Sequence, residues 1–259
     1  MGFREKYGPY AVVAGGSDGL GYAYAEAIAR RGVNLILIAR QAGRLRAAAD
    51  RLATAYHVDA IPVAADLADA DGVLAQIGSL GRDIGLLVYN AALAPIGPFA
   101  DQPEERLAQA VAVNVRAPLL LAKRLSGPMI ARGHGGIVLM SSLAGAQGSP
   151  NLATYAATKA FNAILAEGLW SELRPYGIDV LACCAGAIMT PGYAQAGQAK
   201  PAPGTLPPRA VAERTLNALG KRPLTVPGAV NALGRFILTR LLPRRAAIAI
   251  MGANTGGLA

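Results

Sequence analysis

The chain has 259 residues, of which 53% are apolar and 5% aromatic, and it carries a formal net charge of +9. That length can bury a large core as one domain, and the apolar content argues against disorder. No apolar run approaches the roughly 18 residues that span a bilayer, and the first six residues lack the apolar core of a signal peptide.

Residues 10–13, Tyr10-Ala11-Val12-Val13, read as a buried strand, and Tyr22 to Arg31 read as a helix. Between them lies Ala14-Gly15-Gly16-Ser17-Asp18-Gly19-Leu20-Gly21. A strand, a glycine-rich turn and a helix predict a nucleotide-binding βαβ unit. A turn without side chains lets a pyrophosphate approach the backbone, and the N–H groups and dipole of the first helical turn favour its charge. The spacing is G-x3-G-x-G rather than G-x-G-x-x-G, so a plain strand-to-helix turn competes with the cofactor reading.

Further strands are predicted at 33–39, 60–64, 86–89, 137–141 and 178–184, with helices near 20–31, 42–56, 69–80, 103–132 and 151–175. The strands are apolar on both faces, which suits a parallel sheet covered by helices on each side. The alternation predicts an α/β, Rossmann-type doubly wound sheet and a single domain over 1–259. Residues 186–208, rich in Gly, Pro, Ala and Gln, are long for a structureless loop and read as a substrate or cofactor lid, with a surface excursion as the alternative. A helix near 208–219, a short strand near 224–226 and an apolar-basic segment over 228–259 close the chain.

Beyond residue 180 stand nine Lys and Arg and one acid, Glu213. Such a tail can face nucleic acid, anionic lipid or solvent. No aromatic interleaving or helix-turn-helix pattern accompanies it, so no nucleic acid is expected. Leu233, Phe236, Ile237, Arg240, Leu241 and Arg244 set an apolar stripe beside basic groups. Peripheral membrane contact is open to such a helix, but a cover over the pocket or a subunit interface is preferred, because the stripe is short. His57 and His134 are isolated, so no metal is expected. Cys183 and Cys184 are adjacent in a strand and point to opposite faces, which predicts free thiols and a cytoplasmic protein.

The chemistry is carried by Tyr155-Ala156-Ala157-Thr158-Lys159. Tyr and Lys four apart share a helix face. A nearby ammonium lowers a phenol's pKa, which makes the pair a candidate general acid and base, although the pattern also arises by chance. Ser142 ends a predicted strand and can donate to a substrate oxygen. Asn114 is polar in an apolar helical stretch, where the structural reading is a bent or capped helix.

Together these motifs resemble the short-chain dehydrogenase/reductase family over nearly all of residues 8–190. Gly15, Gly19 and Gly21 match T-G-x3-G-x-G. Asp66-Leu67 matches the acidic residue that meets adenine, and Tyr89-Asn90-Ala91-Ala92 matches N-N-A-G. Asn114, Ser142, Tyr155 and Lys159 match the catalytic tetrad, and Ala185-Gly186-Ala187-Ile188-Met189-Thr190 matches P-G-x3-T. The opening is also similar to members that act on steroids and long acyl chains. Ala14, Tyr89, Ala92 and Ala185 depart from the pattern without removing a catalytic group.

The resemblance implies a seven-stranded sheet of order 3-2-1-4-5-6-7 and hydride transfer between nicotinamide and a carbonyl or secondary alcohol. It implies that Tyr155 moves the proton, that Lys159 lowers its pKa and holds the ribose, that Ser142 orients the substrate, and that Asn114 holds a water linking Lys159 to solvent. Cofactor contacts are expected from Gly15, Ser17, Asp18, Gly19, Leu20, Gly21, Arg40, Asp66, Leu67, Asn90, Ala91, Tyr155, Lys159, Gly186, Ile188 and Thr190. A homodimer or homotetramer formed through helices 103–132 and 151–175 is implied as well. A non-redox nucleotide sensor on the same fold is the alternative function. Leu143, Leu152, the lid and the C-terminal segment are expected to line a lipophilic pocket.

At the end of the second strand Ala39 stands where a carboxylate would select NAD, and Arg40 follows. A guanidinium there can grip a 2′-phosphate, and Arg44 adds charge from the next helix. Asp18 opposes this, although it can also cap its helix. NADP (NADPH) is therefore expected ahead of NAD.

Overall fold

The computed structural model describes residues 1–190 and 203–255. Seven parallel strands form one sheet: β1 (Tyr10–Ala14), β2 (Asn34–Ala39), β3 (Ala60–Ala64), β4 (Ile84–Tyr89), β5 (Gly135–Ser142), β6 (Ile178–Ala185) and β7 (Leu224–Thr225). Their order is β3-β2-β1-β4-β5-β6-β7, as expected. The chain runs outward from β1 to β3, returns to β4 beside β1, and runs outward again. The crevice therefore opens above β1 and β4, where ligands of such sheets sit.

The central strands are buried on both faces because each face carries its own core. Val13, Leu35, Leu37 and Val138 pack on one side with Tyr24 and Ile28 of α2 (Gly19–Ala29) and Leu45 of α3 (Ala42–Tyr56). Val12, Ile36, Leu87 and Leu139 pack on the other with Val73 and Ile77 of α4 (Ala70–Ser79) and Leu121 of α6 (Ala117–Arg132). Cys183 belongs to the first core and Cys184 to the second, as the alternation of a strand requires, and both thiols are free.

Three differences from the sequence reading have physical causes. A short helix, α1 (Phe3–Tyr7), precedes β1; its Tyr7 is buried against Gly136 and its phenol donates to Asp179 at 2.5 Å. Five residues carry too little periodicity to announce a helix.

The helix expected over 103–132 is three pieces: α5 (Glu104–Val111), a π-turn (Ala112–Arg116) and α6. Pro118 has no N–H, so it leaves without a donor the carbonyl of Asn114, four residues back, and that of Val113, five back. Side chains take their place: the Tyr89 hydroxyl donates to Val113 at 2.5 Å and the Asn162 amide to Asn114 at 3.0 Å.

The segment after β7 is also divided, into α9 (Ala229–Phe236), a π-turn (Ile237–Leu241) and α10 (Arg244–Thr255), with Pro243 between the last two. The preceding helix is α8 (Pro208–Ala218). In the span 186–208, residues 191–202 lie outside the described residues. Its two flanks meet: Ile188 bridges Leu206, and Leu206 N–H donates to Ala187 at 3.1 Å. Buried Asn231 pins this base by donating to Gly204 and Pro227, and a Cβ at Gly186 or Gly204 would collide with its amide. Most of the segment expected as a lid therefore lies outside the described residues.

Candidate active site

A cleft of about 770 Å³ lies at the C-terminal ends of the strands. Its floor is the glycine turn between β1 and α2. Gly15 has φ +80°, and a Cβ there would press on the Ala91 backbone at 3.0 Å. Gly21 faces the turn from beneath, where a Cβ would collide with the Gly15 carbonyl oxygen. Gly21 was expected as a cofactor contact; it packs under the turn and does not line the cleft. The first turn of α2 thereby presents its N–H groups upward, as anion binding requires. Asn90 braces the same turn: its N–H and that of Ala91 donate to Ala14 at 3.1 and 2.9 Å, and its Nδ2 lies 3.4 Å from the Gly15 carbonyl oxygen.

One end of the cleft is lined by Ala39, Arg40, Gln41 and Arg44. Asp18 caps α2 by accepting from Gly19 N–H at 2.6 Å, and its other oxygen pairs with Arg44 at 3.5 Å. The carboxylate counted against a phosphate is thus matched by Arg44, which leaves Arg40 exposed beside it. Asp66 closes a turn on Ala68 N–H at 2.9 Å and lines the cleft with Leu67.

At the other end the cleft is lined by Ser142, Tyr155 and Lys159. Tyr155 and Lys159 lie on α7 (Ala153–Leu173), which packs along β5 and β6. Lys159 is buried; its Nζ lies 5.5 Å from the Tyr155 ring centre and donates to the Met140 carbonyl at 2.9 Å. Burial lowers the Lys159 pKa to about 8. Burial raises the Tyr155 pKa, and the hydrogen bond with the Ser142 hydroxyl offsets part of that rise. The resemblance implied that Lys159 lowers the phenol; here burial dominates and Ser142 supplies the opposing effect.

Asn114 is fully buried behind the cleft wall. Its Oδ1 accepts from Leu93 N–H at 2.8 Å, and its Nδ2 donates to Leu93 O at 2.7 Å and to the Thr158 hydroxyl at 3.0 Å. It fastens the loop after β4 to α7, one residue from Lys159. The helix departs from regular α geometry at Asn114, in the π-turn, and the same residue braces the wall of the cleft.

The structure also brings in Met140, Thr158 and Asn162, which the sequence reading passed over. Asn162 had a signal, for it continues the helical stripe of Tyr155 and Lys159. The Met140 carbonyl had none, since its role is purely backbone.

Gly186, Ile188 and Thr190 line the cleft above the tetrad. Leu152 lines it as well, with Leu93, Ala94, Ile96 and Val113; Leu143 and the described C-terminal helices do not. The stripe along α9 and the π-turn after it faces outward, with Leu233 60%, Phe236 53% and Leu241 63% exposed, so among the described residues it does not cover the pocket. No group of three or more metal-ligating side chains occurs among the described residues, and no helix there is long and apolar enough to cross a membrane.

The residues present fit a dinucleotide. The cleft runs unbroken from Arg40 over the turn to Tyr155, with room for an adenosine end, a pyrophosphate and a nicotinamide end.

A family model described as short chain dehydrogenase matches residues 9–201. The chain is 34% identical over 221 residues to the inactive hydroxysteroid dehydrogenase-like protein 1 of Mus musculus, covering 83% of this chain and 67% of that protein. It spans about half the length of several other curated relatives that it matches. A structure described for 7beta-hydroxysteroid dehydrogenase stereoselectivity superposes with a TM-score of 0.89 at 27% identity, covering 97% of this chain and 99% of that one. A short-chain dehydrogenase from Sphingobium yanoikuyae in complex with NADPH superposes at 0.77 with 31% identity, covering 96% and 94%.

Proposed function

The chain belongs to the short-chain dehydrogenase family, and from that premise we propose an NADP(H)-dependent oxidoreductase that moves a hydride between nicotinamide and the carbonyl or secondary-alcohol carbon of a lipophilic small molecule. The observation that carries this reading is the single cleft joining exposed Arg40 to the Ser142–Tyr155 pair. The cofactor supplies the hydride when bound; the chain supplies position and the proton.

Tyr155 gives its proton to the substrate oxygen in reduction and takes it back in oxidation. Its pKa lies above the ordinary phenol value, so it carries a proton at neutral pH, the form that reduction uses. Ser142 donates to the same oxygen. Lys159 would hold the nicotinamide ribose, Gly15 to Leu20 the pyrophosphate and Arg40 a 2′-phosphate. The apolar side chains of Leu93, Ile96, Val113, Leu152 and Ile188 favour a lipophilic substrate. The intact tetrad speaks for redox chemistry, since a non-redox sensor has no use for all four groups.

We further propose a homodimer or homotetramer. Val111, Leu119 and Ile164 lie exposed on the helices expected at the interface, Ile164 at 67%. A cytoplasmic setting would keep the two thiols reduced.

The test is a panel of apolar ketones and secondary alcohols followed by nicotinamide absorbance with NADP(H) and NAD(H), alongside light scattering. Turnover of at least one bulky ketone with NADPH is expected. Nucleotide binding without turnover of any carbonyl or alcohol would move the protein to the sensor reading.

A further inference from the structure

Tyr155, Lys159 and Asn162 stand at i, i+4 and i+7 of α7, so one face of the helix carries all three to the end of β5. Lys159 and Asn162 are both buried, at 3% and 1% exposure. The Asn162 Nδ2 donates to the Asn114 carbonyl at 3.0 Å and lies 3.5 Å from the Met140 carbonyl oxygen, the atom that already accepts from Lys159 Nζ at 2.9 Å. Facing two carbonyl oxygens, only the NH2 end of the amide can point this way. The Asn162 Oδ1 is buried without a hydrogen-bond partner.

Both carbonyls lack an ordinary backbone donor. Pro118 withholds the helical one from Asn114. The pairing of β4 with β5 ends at Tyr89 and Leu139, one residue before Met140. Met140 is thus served by one short donor, the ammonium, and one long donor held in place beside it.

We propose that Asn162 is a positioning residue that takes over the Met140 carbonyl when the Lys159 ammonium moves to the nicotinamide ribose. The inference rests on the dinucleotide reading above. A buried carbonyl stripped of its donor is expensive, so Lys159 can leave only where another donor is at hand. Closing by about 0.5 Å brings Asn162 Nδ2 to the usual N–H···O distance. Its second N–H stays on Asn114, so the exchange does not disturb the π-turn. A hydrophobic side chain at position 162 would fill the space and hold Lys159 where it is.

The experiment is a double-mutant cycle on NADPH affinity, read by nicotinamide fluorescence, in wild type, Asn162→Leu, Lys159→Met and the double variant. Asn162→Leu should weaken NADPH about tenfold when Lys159 is present and less than twofold in the Lys159→Met background. Equal weakening in both backgrounds would mean that Asn162 merely packs, and the proposal falls.

A second arm needs no cofactor. The chain has five lysines, so 13Cε-lysine labelling gives a resolvable set, with Lys159 identified by its loss in Lys159→Met. In Asn162→Ser, which is too short to reach Met140 and adds no apolar side chain beside the ammonium, Lys159 becomes the sole side-chain donor to Met140, so its titration midpoint should rise from about 8. An unchanged midpoint overturns the proposal. Failure of the wild type to bind either nucleotide would instead remove the functional reading, and the lysine titration would still decide the role of Asn162. Asn162→Ser also repeats the first arm if the leucine variant does not fold.

Discussion

The hydroxyl of Tyr89 donates to the carbonyl of Val113 at 2.5 Å, tying the end of β4 to the turn that carries Asn114. The family pattern has Asn at this position. Here the phenol reaches a carbonyl that Pro118 leaves without a helical donor, so the departure supports the site. Tyr89→Phe keeps the ring and removes the donor. A buried carbonyl left unsatisfied costs about 1–3 kcal/mol. For a chain of this size each kcal/mol shifts the melting midpoint by about 2–4 °C. Calorimetry should therefore show a lowered Tm, and turnover should fall several-fold because the turn that carries Asn114 loses one of its ties, the bond at neighbouring Val113. A variant that melts like wild type and turns over normally would show that the turn stands without Tyr89.

The strands were legible because a two-sided parallel sheet writes itself as apolar runs, and the predicted edges shifted by one or two residues: outward at β4, β5 and β6, where pairing extends past the predicted ends, and inward at β2 and β7, where apolar Val33 and Val226 lie outside the paired strands. At β5, pairing begins at Gly135 and Gly136, which no hydrophobic pattern marks. The placement of the candidate residues was legible because Tyr155 and Lys159 repeat a helical spacing and Ser142 ends a strand. The π-turn was not. It follows from one missing N–H at Pro118 and from two side chains, Tyr89 and Asn162, that come from distant segments. The ion pair between Asp18 and Arg44 was hidden for a similar reason, since it joins α2 to α3 across the turn.

Tyr155→Phe tests the chemistry. The substitution keeps the ring against Lys159 and deletes the proposed proton donor. Loss of a general acid lowers turnover by about 10²–10⁴-fold. NADPH affinity, measured by fluorescence, should stay within about threefold, because by this reading the phenol serves the substrate oxygen, as uniform-binding arguments require. Turnover within a factor of ten of wild type would remove Tyr155 from its role.

Lys159 links the site to stability. A free lysine titrates near 10.4, and burial brings Lys159 to about 8 in the folded chain. Between those values the unfolded chain binds more protons than the folded one, so this group makes stability rise with pH from about 8 to about 10.4. Below pH 8 the ammonium is charged in both states and the full cost of burying it is present. Lys159→Met should therefore melt higher than wild type at pH 7, by an amount corresponding to at most a few kcal/mol, while its turnover collapses. The difference in Tm should narrow as the pH is raised to 10. A variant less stable than wild type at pH 7 would show that the bond to Met140 outweighs the desolvation of the charge.

On the proposed reading, cofactor choice is decided at the far end of the cleft. Ala39 supplies no carboxylate to bind two ribose hydroxyls, and Arg40 is exposed at the edge of the cleft. The opposing group, Asp18, is held twice, by Gly19 N–H and by the Arg44 guanidinium 3.5 Å away. Paired in this way, Asp18 repels a 2′-phosphate less than a bare carboxylate, and Arg40 keeps its donors for the phosphate. Arg40→Asp removes the cation and restores a carboxylate next to the position where it selects NAD. The ratio of kcat/KM for NADPH over NADH should fall by about 100-fold or more, since a charge-assisted pair is lost and a repulsion gained. Asp18→Asn should move the ratio the other way and by only a few-fold, because Arg44 already offsets that charge. If wild type and Arg40→Asp give the same ratio, Arg40 does not read the phosphate and the preference for NADP loses its basis.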